Sequence, residues 1–179
     1  MHKPRVAKLG GLRVSCLAIS LLLAGCGGRS FGDFMPSFGN DEVPLEAQTP
    51  QEIYLTGEAL LQEGQPREAG QVFSEVERLY PYSEWAKRSM LMSAFSYHEG
   101  GLYAESRAAA ERYLDFFPAD VDAPYAQFLI GLSYYDQIVD IGRDQSNTFD
   151  ALQEMRDIIE RYPDSEYALS AQLKFELAL

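Results

Sequence analysis

Hydrophobic and polar positions divide the chain into three stretches of different character. Residues 14–24 form a mainly apolar run of 11 residues, preceded by a basic segment that ends at Arg13. A membrane-spanning helix needs about 20 such residues, so this run is too short for a stable span. Residues 27–49 show no sustained period; glycines, prolines and scattered Ser, Asp and Glu form a polar run that Phe31, Phe34 and Phe38 interrupt, which predicts a flexible tether over residues 26–48. From Thr49 onward the apolar residues return at helical intervals, and the alternation of a strand never appears. Thr49-Pro50-Gln51-Glu52 has the form of a helix start. Thr49 supplies the N-cap oxygen, Pro50 has no amide to lose at the first helical position, and Glu52 can reach back to close a capping box. The predicted fold class is all-α.

The helical stretch repeats itself. Tyr80-Pro81-Tyr82-Ser83-Glu84-Trp85-Ala86 recurs as Tyr162-Pro163-Asp164-Ser165-Glu166-Tyr167-Ala168, with a looser copy at Phe117-Pro118 and Pro124-Tyr125-Ala126. In each copy an aromatic residue closes a helix, Pro forbids its continuation, and a short polar bend opens the next. Pro81 to Pro118 is 37 residues and Pro118 to Pro163 is 45, lengths that suit helix–turn–helix units, the longer one carrying an insertion around residues 139–148. These units resemble tetratricopeptide repeats. Gly57, Leu60, Gly64, Ala69, Phe73 and Pro81 fall on the motif's small, large, turn, small, aromatic and proline positions. Ala94, Tyr97, Gly101 and Pro118 match in the second unit, where Ser106 and Ala110 replace the usual alanine and aromatic. Gly131, Tyr134, Ala151 and Pro163 match in the third, with Met155 in place of the aromatic. The resemblance implies a right-handed tetratricopeptide superhelix over residues 49–179, with three full units and the start of a fourth. That fourth unit stops partway along its first helix, where Leu173, Phe175, Leu177, Ala178 and Leu179 would face nothing, so the array is expected to continue beyond Leu179.

Two helices are apolar over more than one stripe. From Tyr125 to Tyr135 only Gln127 and Ser133 are polar, and the stretch from Trp85 to Tyr97 is similar. A helix apolar nearly all round must be covered nearly all round. Carrying over the groove positions of the repeat gives Tyr54, Leu61, Leu91, Phe95, Tyr125, Phe128, Leu132 and Tyr135 as a candidate groove for an apolar or aromatic peptide. Asp140, Arg143 and Asp144 sit in the insertion, which the repeat does not need for packing, and are candidate partner contacts.

Charge and rare residues narrow the chemistry. The chain carries 15 basic and 27 acidic residues, and its first 25 residues hold four of the bases and no acid. The remainder lies near −16, with no basic footprint for nucleic acid. Beyond that segment there is one histidine, His98, beside no motif-placed carboxylate or serine, and no metal-spaced cluster or Gly-rich phosphate loop. No catalytic residue, metal or cofactor is expected. Asp120 and Asp122 read as loop residues able to cap the helix that Pro124 opens.

The amino terminus has a basic segment, an apolar run and then Leu23-Ala24-Gly25-Cys26. This resembles a bacterial lipoprotein signal, with residues 1–25 removed and a covalent lipid placed on Cys26. Several acyl chains would hold firmly. Gly27 rather than Asp after the cysteine implies the outer membrane, facing the periplasm. Cys16 leaves with the signal, so the body holds no thiol or disulfide.

A lipid-anchored, acidic, cysteine-free tetratricopeptide array resembles the BamD (ComL-type) outer-membrane assembly lipoproteins. The lipobox, the Glu52-Ile53-Tyr54 helix, the Tyr-Pro junctions and the third-unit insertion carry the resemblance, and the stretch from Tyr134 to Gln145 is similar to alphaproteobacterial members. It implies a non-enzymatic scaffold that docks on the barrel-forming subunit BamA and on other assembly lipoproteins, and that receives unfolded outer-membrane proteins. Two other readings stay open: a periplasmic adaptor of the Tol–peptidoglycan kind, and the solenoid part of a cell-wall enzyme.

The anchor makes a direct prediction. Cys26→Ala should abolish uptake of labelled fatty acid and release the protein from washed outer membranes; label incorporated into the variant would end the lipoprotein assignment.

Overall fold

The computed structural model describes residues 44–138 and 145–179. Among these residues there are seven α-helices and no strand: α1 (Pro50–Gln62), α2 (Pro66–Leu79), α3 (Glu84–Glu99), α4 (Tyr103–Phe116), α5 (Ala123–Tyr135), α6 (Ser146–Arg161) and α7 (Glu166–Ala178). The capping box forms as its sequence dictates. Glu52 N donates to Thr49 Oγ1 at 3.3 Å, and Thr49 N donates to Glu52 Oε2 at 2.8 Å. Ser83 and Ser165 cap α3 and α7 in the same way, accepting from Ala86 N and Ala168 N. Tyr80, Phe117 and Tyr162 end α2, α4 and α6 with nearly one backbone conformation, φ of −136°, −132° and −131° and ψ of 55°, 53° and 53°. Each precedes a proline, whose ring pushes the preceding residue out of the helical region. Gly64 and Gly101 turn the chain inside the first two units at φ of +75° and +71°, where a side chain would be strained.

Consecutive helices pack on one another, and α1 with α3, α3 with α5, and α5 with α7 also touch. The odd helices therefore make a continuous inner row, while α2, α4 and α6 lie outside it. Each helix pair closes through a small residue set against a large one. A Cβ on Gly57 would fall 2.7 Å from the Phe73 ring, and one on Gly131 would fall 3.2 Å from both Glu154 Cβ and Met155 Cε. Met155 thus fills the place that Phe73 fills in the first unit. In the second unit Ala94 and Ala110, both fully buried, meet in one core with Met90, Tyr113, Leu129 and Ile130. A second core gathers Phe128, Met155, Ile158 and Ala171.

Polar residues complete the interior. Ser93 Oγ donates to Gly70 O at 3.1 Å, and Ser106 Oγ donates to Ala94 O at 2.8 Å. Gln127, buried on α5, donates to Glu154 Oε2 at 2.5 Å and accepts from Arg161 at 3.2 Å. Burial, helped by the nearby Asp157 charge, raises the pKa of Glu154. The expectation that Asp122 or Asp120 caps α5 through its side chain is corrected: Asp122 stands at the N-cap with no side-chain bond. Asp120 instead ties three elements together, accepting from Lys87 Nζ at 2.5 Å, Tyr113 Oη at 2.8 Å and Asp122 N at 3.1 Å. Phe175 likewise does not face nothing, as the sequence suggested; it packs on the second core, whereas Leu169, Leu173 and Leu177 are exposed. At the chain's entry Leu45–Ala47 form one 3-10 turn, and Tyr80 Oη donates to Gln48 O at 2.5 Å.

Two predictions follow from these contacts. Gly57→Ala should lower unfolding free energy by about 1–3 kcal/mol, because the added methyl must displace the Phe73 ring from a packed interior; urea denaturation against the parent measures it. The Lys87 ammonium, the Asp122 amide and the Tyr113 hydroxyl hold the pKa of Asp120 down at about 2, against 3.8 when free. Its contribution is complete above that free value and is lost as pH falls through 2. Asp120→Asn should therefore destabilise at pH 6, and the gap from the parent should narrow between pH 4 and pH 2.

Candidate functional site

The eight groove candidates come from the inner row, and the structure assembles seven of them into connected groups. Tyr54 on α1 is half-buried, its ring 5.2 Å from Phe73 and 5.1 Å from Trp85. Burial raises its hydroxyl pKa. Leu91 and Phe95 on α3 and Tyr125 on α5 are half-buried and lean on the first core. Phe128, only 9% exposed, belongs to the second core, with Leu132 and Tyr135 packed against it. Leu61 is half-buried near the end of α1. Tyr125 and Phe128 both stack near Tyr167 of α7, at 5.2 and 5.5 Å, and burial lifts the Tyr125 hydroxyl to about 12. Lys174 Nζ sits 4.4 Å above the Tyr135 ring.

The result is a ribbed apolar face. It holds a small pocket of about 120 Å³ that Tyr54, Arg88, Leu91 and Met92 help to line. Phe128 supports this face from beneath. Leu91, Phe95, Leu132 and Tyr135 keep part of their surface open. Repeat register carries the face further than the sequence reading took it. Leu91, Phe128 and Leu173 are separated by 37 and 45 residues, as are Phe95, Leu132 and Leu177, the same spacings as the junction prolines. The exposed leucines of α7 thus continue the row.

His98 also falls in this register, 37 residues after Leu61 and 37 before Tyr135. Its side chain is nearly buried, with Nε2 3.1 Å from Asp136 Oδ2 and the ring edge-on to Tyr103 at 5.4 Å. The sequence placed no carboxylate there, because Asp136 lies one whole unit away along the chain. The contact has the distance of an ion pair without the alignment of a hydrogen bond. It joins α3 to the end of α5, directly before the insertion. Among the described residues no cluster of three or more His, Cys, Asp or Glu side chains could hold a metal. Cys26 and the insertion residues Asp140, Arg143 and Asp144 lie outside the described residues; the base of the insertion is closed by Asn147 Nδ2 donating to Gln137 O at 3.4 Å.

One feature escaped sequence reasoning. A cleft of about 1080 Å³ opens beside the carboxy-terminal ends of α2 and α4 and the first half of α3, lined among others by Pro81, Tyr82, Met90, Phe116 and Phe117. Tyr82 is fully exposed and Phe116 is 64% exposed. Both stand beside junction prolines, where the repeat pattern explains an aromatic helix end but not a second aromatic that faces water.

Comparison with known proteins sets this geometry in context. The family of YfiO outer membrane lipoproteins matches residues 46–178. A Caulobacter vibrioides protein named outer membrane protein assembly factor BamD is 38% identical over 164 residues, covering 92% of this chain and 51% of that protein. Its namesake from Rickettsia prowazekii is 32% identical over 170 residues, covering 95% of this chain and 63% of that protein. The chain therefore spans about half to two thirds of the length of these relatives. Among solved structures, the C-terminal TPR-containing domain of a Plasmodium falciparum FK506-binding protein superimposes with a TM-score of 0.52 at 14% identity, over 74% of this chain and 87% of that one. That likeness shows the tetratricopeptide fold and nothing of function.

Proposed function

Because this chain belongs to the YfiO outer membrane lipoprotein family, we propose that it is a non-enzymatic scaffold for outer-membrane protein assembly. In this reading it is held at the periplasmic face of the outer membrane by lipid on Cys26. It docks on the barrel-forming assembly subunit and its companion lipoproteins, and it receives unfolded outer-membrane proteins along the inner row of helices. The observation that carries the reading is the alignment of nearly the whole chain, 92% and 95% of it, with two proteins named outer membrane protein assembly factor BamD. The residues agree with it physically. Half-buried aromatic side chains on rigid helices offer a peptide large contact area with little rotamer freedom to lose. Asp140, Arg143 and Asp144 are the proposed contacts to the assembly partners.

The inner row divides into residues that support and residues that can touch a ligand, and the test uses that division. Phe128→Ala removes a core ring and should cost roughly 3–5 kcal/mol of stability. Tyr135→Ala, on the open part of the face, should leave melting within a few degrees of the parent. It should also weaken binding of an aromatic, amphipathic strand peptide about thirtyfold, or roughly 2 kcal/mol. Parent-like affinity in Tyr135→Ala and Leu91→Ala, measured by fluorescence anisotropy, would remove the inner row as the receiving site.

A further inference from the structure

Exposed apolar side chains gather at one end of the array, around a cleft whose charges are paired within the chain. Arg78 is held by Glu75 at 2.5 Å and Glu46 at 3.7 Å, Lys87 by Asp120 at 2.5 Å, and Arg112 by Glu77 at 3.1 Å. Each cation of the lining thus has its own carboxylate, and Glu84 is left over. What the cleft offers an outside group is apolar: buried Met90, Phe117, and the exposed Phe116 and Tyr82 at the rim. Val121, 86% exposed, follows the carboxylate that holds Lys87. The chain also enters here. Tyr80 Oη donates to Gln48 O and Arg78 pairs with Glu46, so residues 46–48 are held against the end of α2.

We propose that this end of the array, through Tyr82, Phe116 and Val121, rests on the lipid surface of the outer membrane and orients the inner row there. The inference rests on the lipid-anchor reading only in taking retention at the bilayer from Cys26. Exposed apolar patches mark contacts with proteins or with membranes. Here the pairing of every cation in the lining leaves no charge by which a particular protein segment would be selected. A bilayer, in contrast, is the surface named by the family to which the chain belongs, the YfiO outer membrane lipoproteins. Cys26 lies 18 residues before Pro44, and the end that carries Tyr82, Phe116 and Val121 is the one from which the chain leads back to it. Apolar side chains entering the headgroup boundary leave water without needing a partner, and tyrosine keeps its hydroxyl among the headgroups. The sign of the charge selects the lipid. Beyond residue 25 the chain carries 11 basic and 27 acidic residues, with Glu84 and Asp122 close in sequence to Tyr82 and Val121, so anionic headgroups repel this end and zwitterionic ones accept it. Three side chains orient the array; the acyl chains hold it.

The cysteine-free body allows a direct test, because one introduced cysteine can carry a bimane probe while Cys26 is lipidated. The lipidated chain is reconstituted in phosphatidylcholine vesicles containing a lipid with a nitroxide quencher at the headgroup boundary. Probes at Tyr82→Cys, Phe116→Cys and Val121→Cys should each lose at least half of their fluorescence. A probe at Glu63→Cys, exposed at the opposite end of α1, should lose almost none. Replacing part of the phosphatidylcholine with phosphatidylglycerol should reduce the quenching, and added salt should restore it. Tyr82→Ser with Phe116→Ser alters exposed side chains and should leave melting and vesicle retention unchanged, while lowering quenching at Val121→Cys severalfold. Equal quenching at residue 63 and at the three rim positions would overturn the proposal. So would unquenched rim probes on protein that stays with the vesicles. Shielding of those probes by the purified assembly partners in the absence of lipid would also overturn it, by giving this end to a protein. Failure of the anchor reading is visible separately, as a chain without lipid by mass spectrometry that washes off the vesicles. That chain is then titrated with excess vesicles; quenching confined to the rim supports the contact, and its absence overturns it.

Discussion

Close approach between paired helices is the constraint on which this array depends. Gly57 lies so near the Phe73 ring, and Gly131 so near Met155, that a single methyl group would not fit at the first position and would fit at the second only if its neighbours gave way. Interiors packed to this density respond to changes of one carbon. Once the two helices of a unit are drawn together, their loops must be short, their apolar stripes must face the same side, and the next unit must stack on the open flank. Ala94 and Ala110 achieve the same approach in the second unit by a different route, two small residues with Tyr113, Leu129 and Ile130 filling the space around them.

That stacking separates two surfaces with different physics. On the inner row each odd helix touches the next, so α3 and α5 are buried on several sides and only a narrow face stays open. The apolar character of Tyr125 to Tyr135 is explained mostly by this burial, and what remains open is a ribbed strip rather than a deep hole. Beside it, the carboxy-terminal ends of α2 and α4 and the first half of α3 leave the cleft over Met90. A solenoid of this kind exposes groove and cleft together because each helix contacts few others.

Polar side chains make the units specific to one another. Three buried serines of α3 and α4 bond a carbonyl of a neighbouring helix or of the preceding turn: Ser93 to Gly70, Ser106 to Ala94 and Ser96 to Met92. The buried Ser89 hydroxyl, in contrast, has no partner among the described residues. An unsatisfied hydroxyl in the same place would cost of order 1–3 kcal/mol. Asp120 plays a comparable part at the α4–α5 junction, where one carboxylate fixes Lys87, Tyr113 and the backbone of Asp122.

Local chemistry determined much of this protein from sequence alone. The Thr49 box, the aromatic-proline junctions, the turn glycines and the 37- and 45-residue spacings depend on near neighbours along the chain, and each is legible without a structure. The small-against-large pairs were legible too, since the repeat fixes their register. Only the tertiary structure decided which of the eight inner-row residues support and which are open, because exposure depends on the unit stacked alongside. It alone joined His98 to Asp136 and Lys87 to Asp120, pairs 38 and 33 residues apart that no motif links. It alone revealed the cleft, where Arg112, Phe116 and Phe117 of the α4 region meet a lining otherwise drawn from residues 74–90. Periodicity reports which face of a helix is apolar; what covers that face is set by elements a whole repeat away, and there the sequence has no local term to read.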